Sequence, residues 1–206
     1  VSGAGNAPIF GANPVALFFG NVPPGSIKQE SVIVRNPGWP ALTVTSAISS
    51  DPELTINPTA ASIAASDSET FYVRFSSAPG IYRRRVDTLT FLHDGLGSLS
   101  RVVCTADNRP VGTMQPGWNM VSLPVTPDDF LKSSIYPTAV SAAFAYTGSY
   151  QKRDSIHHGE GYWMKFVTAG LMSYSGRLIA AETVDVRAGW NLIGSLSTPI
   201  PTSAVS

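Results

Sequence analysis

The sequence predicts a mainly β protein built of short strands, and three observations predict it. Apolar and polar residues alternate along one run after another. Gly, Pro, Asn and Asp punctuate those runs at intervals of about 8–12 residues. No long stretch carries the apolar period of a helix. Up to about residue 107 this is the pattern of an antiparallel β-sandwich.

Each strand can be justified in turn. Ser31 to Arg35 places Val32 and Val34 on one face, and Leu42 with Val44 repeats the pattern. Thr70-Phe71-Tyr72-Val73-Arg74-Phe75 is the clearest run, with Phe71, Val73 and Phe75 inward and the others outward. Leu89 and Phe91 continue it, as do Val102 and Cys104. His93-Asp94-Gly95 separates two such runs, and Asp-Gly predicts a tight turn because both residues tolerate positive φ. Asp107-Asn108-Arg109-Pro110 is polar and ends in proline, as linkers do. The expected division is a sandwich over 1–107, a linker over 108–111 and a second β module over 112–206.

Composition narrows the function. Of 206 residues, 43% are hydrophobic, enough for a core, and only 14% are charged, against about 25% in ordinary soluble domains. Fourteen basic and fourteen acidic residues leave no net charge. Such a chain has no electrostatic footprint for nucleic acid or an anionic membrane. No apolar run approaches the roughly 18 residues of a membrane span, so no membrane insertion is expected. Cys104 is alone, which excludes an internal disulfide and a cysteine metal cluster. The opening Val1-Ser2-Gly3-Ala4-Gly5 has neither an initiator Met nor a signal peptide, so a processed product or an excerpt is expected.

Several motifs in the first half resemble the ASPM/Hydin-type (ASH) immunoglobulin-like domains. Phe19-Gly20-Asn21-Val22 before Pro24-Gly25 is similar to their opening phrase, and Asn36-Pro37-Gly38 to their Asn-x-Gly turn. Leu42 begins the next strand, and Phe71 to Phe75 followed by Pro79-Gly80 resembles their Phe-containing strand. Two departures are a longer spacing from Phe75 to Pro79 and Cys104-Thr105-Ala106 where a glycine would end the last strand. The resemblance spans about residues 15–106. It implies an Ig-like sandwich related to the major sperm protein fold, a scaffolding role, and occurrence as an accessory domain in secreted bacterial proteins.

The second half echoes itself. Met114-Gln115-Pro116-Gly117-Trp118-Asn119 returns as Val186-Arg187-Ala188-Gly189-Trp190-Asn191, with Gly161-Tyr162-Trp163 between. Over about residues 112–199 this resembles a Gly-Trp-Asn/Gly-Tyr-Trp module of secreted bacterial surface proteins, which usually continues into a second Gly-Tyr-Trp strand. The array is therefore cut short, or the second Gly-Trp-Asn strand closes a single module. Glycine before tryptophan lets the chain turn sharply into a strand. Trp118, Trp163 and Trp190 are expected in the core, where a ring buries roughly 150–250 Å². Asn119 and Asn191 would face the other side and bond turn backbone. The module reads as a small β-sandwich or barrel-like unit with one short helix. Thr126-Pro127-Asp128-Asp129 predicts that helix, with Pro127 in its first turn and a stop before Pro137.

No arrangement of residues carries chemistry. A nucleophile elbow is absent. His157-His158-Gly159-Glu160 reads as a polar turn, since adjacent strand histidines face opposite sides. Asp128-Asp129 reads as a cap, while Asp51, Glu53 and Arg83-Arg84-Arg85 read as solvated surface. Neither a catalytic residue nor a metal or other cofactor is expected. Trp39, in Pro37-Gly38-Trp39-Pro40, is the candidate contact residue. The expected function is non-catalytic: a structural module of a secreted or cell-surface bacterial protein, acting in spacing, display or self-assembly. Copies of itself or neighbouring modules are the expected partners. The alternative is a carbohydrate-binding accessory module of an extracellular hydrolase, with a glycan as ligand.

Overall fold

A computed structural model of the chain describes residues 7–205. The start at Val1 to Gly5 lies outside the described residues. Two compact units form. The first takes the chain up to Pro79 and again from Arg84 to Asn108; the second takes Gly80–Arg83 and everything from Arg109 onward.

In chain order the strands of the first half are β1 (Gly11–Asn13), β2 (Ala16–Gly20), β3 (Ile27–Arg35), β4 (Leu42–Ser49), β5 (Leu54–Asn57), β6 (Ala61–Ile63), β7 (Ser68–Ser76), β8 (Ile81–Tyr82), β9 (Arg84–His93) and β10 (Leu99–Asp107). All but β8 build the first unit. One sheet has the order β1-β3-β7-β5 and the other β2-β10-β9-β4-β6. The side chains that alternate inward fill one core. Val32, Val34, Phe71 and Val73 come from the first sheet, and Leu42, Leu89, Phe91 and Val102 from the second; all are fully buried. Phe71 meets Phe91 edge-on at 5.2 Å, a favoured aromatic geometry.

Three details depart from the sequence reading. The sandwich contains one parallel pair, because β2 joins the second sheet beside the last strand and runs along β10. The turn after His93 extends to Ser98, and its positive φ values fall at Gly97 and Ser98 rather than at Asp94-Gly95. Asp94 instead uses its carboxylate to accept the Thr43 N–H at 2.8 Å. A register shift between Val44 and Ser46 turns Ala47 inward where strict alternation would bury Ser46.

The second unit adds β11 (Val111–Met114), β12 (Gly117–Ser122), β13 (Val125–Thr126), α1 (Lys132–Ile135), β14 (Ala143–Tyr146), β15 (Tyr150–Arg153), β16 (Gly161–Phe166), β17 (Gly170–Ser173) and β18 (Gly176–Leu178). A four-stranded sheet β12-β16-β14-β15, the pair β11-β17 and the trio β13-β18-β8 surround a second core. The segment read as a linker is fastened at both ends. Asn108 is buried and donates to Ser77 Oγ at 2.9 Å, and Val111 opens β11.

Three expectations for this unit are corrected. The helix is a single turn starting at Lys132, and Pro127 is not in it. Residues 130–132 give their backbone to a strand-like bridge instead: Ile156 N–H donates to the Phe130 carbonyl, Leu131 pairs with Ser155, and Lys132 N–H donates to the Asp154 carbonyl. Second, none of the three tryptophans is a core residue: Trp118 and Trp190 are 54% and 89% exposed, and Trp163 is half-buried. The buried rings are Tyr136, Tyr162 and Phe166, with Tyr174 beside them. Tyr136 finds partners for its hydroxyl in the Ser122 carbonyl at 2.7 Å and the Tyr174 hydroxyl at 3.2 Å. Third, the second Gly-Trp-Asn tract is not a strand. Apart from a single bridge from Ile193 to Glu160, residues 186–195 form no ladder among the described residues.

Candidate functional site

The exposed tryptophans follow from parity. On β12, Val121 faces the core and Asn119 lies half-buried on the same side, so Trp118 and Met120 face out. Register then places Trp163 of β16 opposite Met120, and Phe144 of β14 opposite Trp163. Beyond them Tyr146 pairs with Tyr150 of β15. The result is an aromatic surface across all four strands. Trp118 and Phe144 have ring centroids 5.9 Å apart, and Tyr146 and Tyr150 5.3 Å. Trp118, Phe144, Tyr150 and Trp163 line a shallow cavity of about 410 Å³. Lys165 lies opposite Trp118 and Lys152 opposite Phe144.

Next to Tyr146 the surface becomes a cleft of about 600 Å³ of mixed polar and apolar lining, which includes Tyr146, Glu160, Glu182, Asp185, Arg187 and Trp190. Glu182 sits 2.9 Å from His158 Nδ1. Glu160 accepts the Tyr162 hydroxyl at 2.6 Å, and burial with that bond raises the Tyr162 pKa. Tyr162 is thus a buried post beneath the cleft, not part of its surface.

The two Gly-Trp-Asn tracts share one local geometry. Asn119 Oδ1 accepts the Gln115 N–H at 2.9 Å, and its Nδ2 donates to the carbonyls of Gln115 and Gly117. Asn191 repeats this with Arg187 N–H at 3.0 Å and the carbonyls of Arg187 and Gly189. Gly117 and Gly189 have φ of 100° and 95°, left-handed values that glycine adopts without strain. Each loop is therefore closed by its asparagine and holds its tryptophan outward. Gly161 allows a close approach: a Cβ there would lie 3.1 Å from the Ile193 carbonyl oxygen.

His157 and His158 diverge, His157 stacking on Phe130 at 5.3 Å. Among the described residues no three His, Cys, Asp or Glu side chains form a metal-binding group, and no helix is long and apolar enough to cross a membrane. Sequence reasoning missed Phe144, Tyr146 and Tyr150. The signal was the Ala143-Phe144-Ala145-Tyr146 alternation, in which the alanines face the core and the rings face out.

In the first unit, Asn36 is fully buried at the end of β3. Its Oδ1 accepts the N–H groups of Ile9 and Gly38, both at 3.1 Å, and its Nδ2 points at the carbonyls of Pro40, Ile63 and Ala64. A Cβ on Gly38 would lie 2.5 Å from the Ala7 carbonyl oxygen, so no larger residue fits. The Asn-x-Gly motif is thus a buried knot tying three chain segments. Residues 8–100 match the ASH family model. Its description is "Abnormal spindle-like microcephaly-assoc'd, ASPM-SPD-2-Hydin". No curated protein matches the chain.

Among solved structures, a protein of unknown function from Porphyromonas gingivalis W83 is 15% identical, with a TM-score of 0.42 over 50% of this chain and 47% of that one. The present chain thus spans about half the length of that protein. The ASH/PapD-like domain 7 of human CEP192 is 9% identical, with a TM-score of 0.42 over 49% of this chain and 85% of that one. The E. coli chaperone DraB is 11% identical, with a TM-score of 0.38 over 83% and 99%.

Within the ASH region, Trp39 is 64% exposed between Gly38 and Pro40. Arg85 joins Glu53 at 3.0 Å and Asp51 at 3.5 Å, so residues read separately as solvated charges are one another's partners. His93 is buried, stacked on Phe10 at 4.6 Å and bonded through Nε2 to Ser100 Oγ. Burial lowers its pKa, against the opposing charge of Asp94. The Cys104 thiol is pushed up to about 12 by burial and the nearby Asp87 charge, which makes it a poor nucleophile.

Proposed function

We propose that the chain is a non-catalytic module of a secreted or cell-surface bacterial protein, working in spacing, display or self-assembly. Its partners are copies of itself or neighbouring modules of the same protein. One observation carries this reading: the outer face of the five-stranded sheet in the ASH region. Phe18, Ile48, Val86 and Val103 stand exposed there. Register sets Thr105 beside both Phe18 and Val86, Thr88 beside Val103, and Thr90 beside Ile48. A face of exposed apolar side chains interleaved with threonines supports an interaction surface. Zero net charge removes electrostatic repulsion between copies. The ASH match over residues 8–100 supports a scaffolding role.

Light scattering at rising concentration tests it. Reversible association is expected, abolished by combining Val86→Lys with Val103→Lys while thermal unfolding stays unchanged. A strictly monomeric protein at high concentration overturns self-assembly. A second reading, the carbohydrate-binding accessory module of an extracellular hydrolase, is favoured by the aromatic surface of the second unit.

A further inference from the structure

The chain bares two apolar faces of different chemistry. The face in the ASH region is aliphatic and threonine-rich, suited to another protein surface. The face in the second unit is built of Trp118, Phe144, Tyr150 and Trp163 and runs into the cleft of mixed lining. We propose that this second face binds an extended, uncharged polysaccharide, which lies from Trp118 across the sheet to Trp190. The proposal rests on the second reading above and names its ligand class and its site.

Ring chemistry is the first support. Sugars with equatorial substituents, such as β-1,4-linked glucose or xylose, present flat faces of C–H bonds that stack on exposed aromatic rings. Four strands at the usual spacing span about 14 Å, room for several sugar rings. Tyr146 and Tyr150 touch each other, and Tyr146 also lines the cleft, so the aromatic surface is continuous with it.

Charge is the second. The cations Lys152, Lys165 and Arg187 on or beside the face are equal in number to the carboxylates Glu160, Glu182 and Asp185 of the cleft, and Glu182 already faces His158. Neither a polyanion nor a polycation gains from such a balance. The cleft's carboxylates, its arginine and the Tyr146 hydroxyl can instead hydrogen-bond sugar hydroxyls and fix the chain's direction.

Preorganisation is the third. Trp190 is 89% exposed, yet its loop is closed by the three hydrogen bonds of Asn191. Trp118 is presented by the same device through Asn119. A loop backbone already closed before binding loses little freedom when a ligand arrives.

Native affinity electrophoresis of the full chain through gels containing hydroxyethylcellulose or soluble xylan tests the proposal, with sulfated dextran as the charged comparison. Retardation by a neutral glycan is expected, weakened about tenfold by Trp118→Ala and by Trp190→Ala and unaffected by Leu96→Ala in the first unit. Trp190 packs on too little for its removal to unfold the chain, and thermal unfolding checks Trp118→Ala. Equal retardation of both tryptophan variants and the unmodified chain overturns the proposed site but leaves carbohydrate binding standing. Loss with Trp39→Ala instead moves the ligand to the ASH region and overturns it as well. Retardation by sulfated dextran alone overturns the uncharged ligand class. No retardation by any glycan overturns both the site and the second reading.

Discussion

Asn36 shows how one polar side chain can hold a sandwich together. It is fully buried and serves backbone groups from residues 9, 38, 40, 63 and 64. Replacing it with alanine leaves those groups buried without a partner. Each such loss costs about 1–3 kcal/mol, and some relaxation is available, so Asn36→Ala is expected to destabilise the ASH region by about 3 kcal/mol. The first transition in urea unfolding reads that loss. Asn119 and Asn191 make a similar set of bonds at the surface, where water can replace them. The same residue type is therefore a stability element in one place and an orienting element in another.

At the scale of elements, the two Gly-Trp-Asn tracts separate what a short motif dictates from what it leaves to context. The loop closed by asparagine forms in both copies, but only the first continues into a paired strand, β12 against β16. Asn191→Ala is accordingly expected to change the unfolding free energy by no more than about 0.5 kcal/mol. It should also speed proteolytic cleavage between residues 184 and 192, as gel electrophoresis of a timed digest would show.

The sheet strands of the ASH region are legible in sequence because each has one buried face, and period-two alternation reports that directly. The outward set of the second unit is not, because ring size places Trp118, Trp163 and Trp190 in the core and does not single out Phe144, Tyr146 or Tyr150. On β12 the predicted alternation is present with its direction inverted. Only partners distant in sequence, such as the fully buried Tyr136 and Ile156, decide which face is inside. The helix was over-read for a related reason. Asp129 does use its carboxylate on the following backbone, accepting the Leu131 N–H at 2.9 Å, but the strand-like pairing with residues 154–156 claims those residues first.

For the whole molecule, the chain passes between the units at 79–80, 83–84 and 108–109. β8 therefore leaves the sequence of one unit to complete a sheet of the other, pairing Tyr82 with Gly176 and Ile81 with Arg177. A fragment of residues 109–206 lacks that strand. Its β18 would have an open edge, and the amide of Leu178 is expected to exchange with deuterium faster than in the full chain, its N–H having lost the Gly80 carbonyl. Equal exchange in both would show that β8 adds no protection.

That excursion also bears on how such a piece can be inherited or rearranged. A unit encoded by one unbroken stretch can be copied, deleted or joined to a new neighbour by two breaks in the gene. Here no single break divides the units cleanly, since any boundary between 84 and 108 splits the first and any later one strands β8 on the wrong side. The two-unit piece is thus the smallest segment that can be transplanted with both of its cores complete.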